Sequence, residues 1–139
     1  MKTAQGTFRR KTTSGTDLVD VTAEVVSFVG ESGVKDGLVV VFVPGSTASV
    51  TTIEFESGAL GDLKRAIERI APEGIHYDHD ARWGDGNGYA HVRSALLGPS
   101  VAIPVRDGRP ALGTWQQVVL CDFDNRPRTR EVLLQVVGV

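Results

Sequence analysis

The chain has 139 residues with 15 basic and 17 acidic side chains, a formal charge of -2, and a length that suits one globular domain. Its 41% hydrophobic and 23% charged residues are an ordinary globular composition that argues against a disordered chain, and the lack of net positive charge argues against nucleic acid as a general partner. The lone Cys121 rules out an intrachain disulfide or a zinc site built from several cysteines, and no apolar run reaches membrane-spanning length, so the expectation is a soluble cytoplasmic protein with no membrane partner.

Taken in chain order, Gly6 to Thr13 has the Thr, Phe and Arg content of an edge strand and ends at a Ser14-Gly15 turn. Asp17 offers a cap for a helix whose apolar face is Val21, Val25, Phe28 and Val29, with Gly30 or Gly33 as its stop. The β-branched run from Leu38 to Val43, bounded by Gly37 and Pro44, reads as a strand buried on both faces at the centre of a sheet. Pro44-Gly45-Ser46-Thr47-Ala48 then makes a tight connection into a neighbouring strand from Ser49 to Phe55. Leu60, Leu63, Ile67 and Ile70 repeat at helical spacing until Pro72 stops them.

From Pro72 to Gly88 the sequence turns polar and reads as a long functional loop. A short helix follows from Asn87 or Gly88 through Leu96, ending near Gly98-Pro99. Val101, Ile103 and Val105 alternate before the hairpin signal Asp107-Gly108, and Leu112 to Phe123 returns as a strand that places Trp115 in the core or a subunit interface. After a turn at Asp124-Asn125-Arg126-Pro127, Glu131 to Val137 forms the terminal strand. The order β, α, β, β, α, α, β, β, β predicts a single compact α+β domain over residues 1–139, a mainly antiparallel sheet or sandwich with flanking helices.

All three histidines, His76, His79 and His91, fall within 16 positions alongside Asp78, Asp80 and Asp85, donor types that suit zinc and related divalent ions. Solvated loop residues making local turns would carry the same letters. Arg126, Arg128 and Arg130 alternate into the last strand, so two or three guanidiniums can face one phosphate; the rival reading is an edge strand charged against aggregation. Ser46, Thr47 and the amides around Gly45 add donors for an anion.

A series of segments then falls in order: Phe42-Val43-Pro44-Gly45-Ser46-Thr47-Ala48, Glu54, Tyr77-Asp78-His79-Asp80, Gly86-Asn87-Gly88-Tyr89-Ala90-His91, Ser94 to Ser100 and Leu112 to Gln117. Together they resemble the YjbQ-like family, also called the secondary thiamine-phosphate synthase family, from about Thr7 to the C-terminus. The resemblance implies a compact α+β homotrimer with a polar site near subunit boundaries. It also implies a weak transferase activity that joins an aminopyrimidine methyl diphosphate to a thiazole phosphate and releases pyrophosphate. Carried over by position, His79, His91 and Glu54 are the expected catalytic residues, and the two histidines would hold a divalent metal, zinc or magnesium. Ser46, Thr47, Arg128 and Arg130 are the expected phosphate ligands. Gly45 and Tyr89 stand where family members carry further histidines, leaving Asp80, His76 or water to supply a third metal ligand. The alternative function is a non-catalytic binding protein for a phosphorylated metabolite.

Overall fold

The computed structural model describes residues 1–139. Strand β1 (Lys2–Thr12) pairs along its whole length with β8 (Arg128–Gly138), from Lys2 opposite Gly138 to Thr12 opposite Arg128. The other side of β8 takes β3 (Asp36–Phe42), which in turn pairs with β5 (Ser100–Arg106). A tight turn at Asp107 and Gly108, with φ of 51° and 76°, leads into the short β6 (Arg109–Pro110); two successive positive φ values give the twist that a two-residue hairpin needs. The resulting five-stranded sheet runs β1-β8-β3-β5-β6, with every pairing antiparallel.

A second, three-stranded antiparallel sheet joins β2 (Asp17–Asp20), β7 (Gln117–Asp122) and β4 (Ala48–Ile53) in the order β2-β7-β4. Val118 and Leu120 of β7 join the main core with Val39 and Val41 of β3, Val132, Leu134 and Val136 of β8, and Val21, Val25 and Val29 from the start and body of α1 (Thr22–Ser32). Each such side chain contributes about 1.5–3 kcal/mol on burial. On the opposite face of β7, Val119, Cys121 and Phe123 pack with Ile67 of α2 (Ser57–Ile70) and with Tyr89 and Ala90 of α4 (Gly88–Leu97). The layers are therefore sheet, sheet and helices. The carboxylate of Glu56 caps α2 by accepting from the backbone N–H groups of Gly58 and Ala59 at 2.8 and 2.7 Å. No helix is long and apolar enough to cross a membrane.

The α+β class and the antiparallel pairing match the sequence reading, while several local assignments are corrected. Asp17 opens β2 instead of capping a helix: its carboxylate accepts from the Thr13 N–H at 2.8 Å and braces the turn. The helix begins at Thr22, whose N–H is taken by Asp20, and ends at Gly33 with φ of 73°. The strand buried on both faces is β7, not β3. Leu38 and Phe42 of β3 remain 38% and 37% exposed because no element covers the outer face of the larger sheet. β3 and β4 lie in different sheets, so the Gly45–Thr47 segment carries the chain from one sheet to the other.

The stretch from Leu112 to Phe123 is broken by a turn at Thr114 and Trp115, where the Gly113 N–H donates to the Gln116 side chain at 3.0 Å; Trp115 is 73% exposed and outside the core. The polar stretch from Pro72 to Gly88 holds a short helix, α3 (Asp78–Trp83), closed by Gly84 in the left-handed conformation. Finally, β8 pairs with β1 along its whole length but with β3 only from Leu133 to Gly138, so Arg128 and Arg130 stand where β8 has one strand neighbour. Their side chains are nonetheless turned onto Asp124 and Asp122 instead of standing free along that edge.

Candidate functional site

β7 ends in Asp122, the chain turns through Phe123 to Pro127, and β8 begins at Arg128. Asp122 and Asp124 are fully buried, and a buried carboxylate persists only when paired and hydrogen-bonded. Asp122 accepts from Thr12 Oγ1 at 2.6 Å, from Arg130 Nε at 2.6 Å and from Arg130 Nη2 at 2.8 Å. Asp124 accepts from Arg128 Nε, Thr47 Oγ1, Asn87 Nδ2 and the Asn125 N–H at 2.8–3.3 Å. Burial opposes the charge of Asp124, but these four donors outweigh it and hold its carboxyl below the ordinary value. Thr47 links the two clusters, since its hydroxyl also accepts from Arg130 Nη2 at 2.7 Å. Two aspartates thereby fix Arg128 and Arg130 at the wall of an open cavity of about 420 Å³. Arg126 lines the same cavity and pairs with no carboxylate.

The opposite wall comes from α3 and α4. Gly88 allows their close approach, because a Cβ there would lie 2.6 Å from Tyr77 Cβ. Asp80 Oδ1 accepts from the Gly88 N–H at 2.8 Å and sits 3.4 Å from His79 Nδ1, tying α3 to the first turn of α4. The His79 and His91 rings end with centroids 4.2 Å apart and planes tilted by 41°. Burial, reinforced by the neighbouring His79, pushes the His91 pKa below the ordinary imidazole value. A neutral imidazole has one donor and one acceptor nitrogen, and it can exchange a proton with a group in the cavity.

Ser46, Thr47, His79, His91, Arg128 and Arg130 thus share one cavity with Gly45 and Arg126. Glu54 does not join them. It lies exposed past the far end of β4, and seven residues of extended chain put it about 20 Å from Thr47. His76 is exposed and paired with Asp78 at 3.0 Å, outside the cavity lining. Tyr89 points into the second core, with the Arg93 guanidinium 4.8 Å from its ring centre. Two residues along a helix turn about 200°, so position 89 faces away from His91. As a metal centre the chain offers two adjacent imidazoles, and no group of three or more His, Cys, Asp or Glu side chains converges. The donor set of one chain does not fit a zinc site, which takes three or four protein ligands.

Asp122 has no role in the sequence reading, which places Asp124 in a turn and Asn87 at a helix start; that Asp122 and Asp124 hold the arginines, with Asn87 bonded to Asp124, is seen only in the structure. Their signal is two carboxylates inserted at alternate positions after the apolar run Val118-Val119-Leu120-Cys121, where buried charge demands a cationic partner. Trp83, at the end of α3, is exposed at the cavity rim.

Fold and cavity together define a small two-sheet α+β protein with an arginine- and imidazole-lined pocket at the crossing between its sheets. The chain belongs to the family described as UPF0047 protein YjbQ-like, whose model matches residues 6–139. It is 40% identical over 127 residues to a UPF0047 protein of Archaeoglobus fulgidus, covering 91% of this chain and 96% of the relative. With the UPF0047 protein YugU of Bacillus subtilis it shares 35% identity over 133 residues, 95% and 98% of the two chains. Among solved structures, hypothetical protein APE1520 from Aeropyrum pernix K1 superposes with a TM-score of 0.90 at 34% identity, covering 98% of this chain and 99% of that one. A YbjQ-like protein of unknown function from Sulfolobus solfataricus P2 gives 0.88 at 28% identity and 99% coverage of both.

Proposed function

We propose that the cavity binds a small phosphorylated molecule and that the protein acts on it as a thiamine-phosphate-synthase-like transferase. The observation behind this reading is the convergence of Arg126, Arg128 and Arg130 with Ser46 and Thr47 beside the His79–His91 pair. Guanidiniums bind phosphate oxygens with two parallel hydrogen bonds, and orientation fixed in advance avoids reorganisation when charge develops. In the transfer, the bond from the pyrimidine methylene carbon to the diphosphate oxygen breaks and a bond from the thiazole nitrogen to that carbon forms. Pyrophosphate leaves with the electron pair. The arginines stabilise that departing charge, and His91, neutral at its lowered pKa, manages protons on the phosphate groups.

The lack of a third imidazole beside His79 and His91 favours a second reading, binding of a phosphorylated metabolite without turnover. A cytoplasmic homotrimer belongs to both readings. The reduced Cys121, buried with its thiol pushed up to about 11 by burial, suits a reducing compartment, and the uncovered face of the larger sheet offers a surface for self-association. Calorimetric titration with pyrophosphate and thiazole phosphate tests the site, and pyrophosphate release from the two substrates, with and without added zinc or magnesium, separates transfer from binding. Absence of binding by either anion overturns both readings; binding without release under any metal condition leaves the second.

A further inference from the structure

Arg130 has three guanidinium nitrogens and only two are used within the chain. Nε and Nη2 are held by Asp122 and Thr47. Nη1 donates to no group of the protein, yet it is not a buried orphan: only Ser49 Oγ and Asn87 Oδ1 are buried without a partner. Its opening to the cavity depends on the residue opposite. Gly45 has φ of 137°, a conformation L side chains rarely adopt, and a Cβ built on it would stand 3.3 Å from Arg130 Nη1. In this backbone conformation a Cβ at position 45 would crowd the one free edge of a guanidinium that is otherwise buried.

We propose that Gly45 is a specificity-determining residue of the cavity: by lacking a side chain it leaves Arg130 Nη1 open to a terminal phosphoryl group. The ligand class is a phosphate monoester or diphosphate whose free end enters between Gly45 and Arg130, with unsubstituted oxygens toward the Gly45 backbone. The inference rests on the anion-binding reading above. A phosphodiester, with substituents on both sides of phosphorus, lacks the free end that fits this gap. Ser46 and Arg126, which line the same cavity, remain available to the other phosphoryl oxygens.

The test titrates wild type and Gly45→Ala with pyrophosphate and with dimethyl phosphate as the diester probe, while circular dichroism checks the fold. Wild type is expected to bind pyrophosphate and not the diester, and Gly45→Ala to lose at least tenfold in pyrophosphate affinity. If wild type binds neither, the anion-site reading itself fails. If wild type binds pyrophosphate but Gly45→Ala binds it equally, or the diester binds as well, the anion site stands and the role given to Gly45 is overturned. Should strain at position 45 unfold the variant, nitrogen-15 spectra of the wild-type arginine side chains decide. Arg130 signals, assigned with Arg130→Lys, must shift on adding pyrophosphate, and unmoved signals reject the proposal.

Discussion

Asp122 holds Arg130 at two points, Nε to Oδ2 at 2.6 Å and Nη2 to Oδ1 at 2.8 Å, in a setting where the carboxylate is wholly buried. This pair joins the end of β7 to the start of β8 across the two sheets. It orders the turn and aims the guanidinium in one interaction. Removing one charge leaves the other desolvated and unpaired, an effect of about 3–5 kcal/mol. Asp122→Asn is therefore expected to lower the urea midpoint by an amount equivalent to about 3 kcal/mol. A loss under about 1 kcal/mol would show that water reaches and compensates Arg130.

Arg126 offers the opposite test. It lines the cavity but has no carboxylate partner, so Arg126→Gln removes a ligand contact without opening the buried network. One charge-assisted bond is worth about 1.5–3 kcal/mol, so pyrophosphate affinity should fall about tenfold to a hundredfold. Folding stability should stay within about 0.5 kcal/mol of wild type. Arg128→Gln, by contrast, should lose stability together with affinity, because it deprives buried Asp124 of its cation. Calorimetry and urea unfolding on the two variants distinguish a free arginine from a held one.

The difference between these arginines marks the limit of what the sequence discloses. Alternation placed Arg126, Arg128 and Arg130 on one face, and the clustering of histidines pointed to the opposite wall of the same cavity. The helical repeat of Leu60, Leu63 and Ile67 was equally plain, because one apolar face against a sheet is a local pattern. Burial of β7 on both faces was not legible, since which apolar strand lies between two layers depends on the crossing of Gly45–Thr47 from one sheet to the other. Asp122 and Asp124 were hidden for the same reason: their partners Thr12, Thr47 and Asn87 are remote in the chain. Tyr89 stands where family members carry a histidine, but that it turns into the second core was not legible, because its direction depends on which face of α4 packs against β7.

The lowered pKa of His91 gives the fold a defined acid sensitivity. The unfolded imidazole takes up a proton near its ordinary value of about 6.5, while the folded one resists until lower pH. Between those values the unfolded state binds more protons, so stability falls as the pH drops below about 6.5 and levels off once the folded group also protonates. Asp124, with its pKa held low, is lost from the balance only in stronger acid, below the ordinary carboxylate range. Thermal midpoints measured from pH 7 to 5 should therefore decline less steeply in His91→Gln than in wild type. Equal slopes would remove His91 as the source.

The outer face of the five-stranded sheet sets the last expectation, the assembly. Leu38 stands opposite Val137 and Phe42 opposite Leu133 in the β3–β8 register, so these side chains share one face. Leu38, Phe42 and Val137 are each more than a third exposed, and no helix covers them. A central apolar strand pair left open to water is stabilised by association with further copies. Sedimentation equilibrium should return about three times the 14.9 kDa chain mass, and Phe42→Glu should return the mass of one chain. A wild-type mass of one chain at all concentrations rejects the trimer. The dissociated variant also settles the place of Glu54, which within one chain lies about 20 Å from Thr47. If pyrophosphate affinity survives dissociation, the cavity is complete in a single chain and Glu54 has no part in binding. If it is lost while the fold persists, a neighbouring copy supplies what the cavity lacks, and Glu54→Gln in the intact trimer should reproduce that loss.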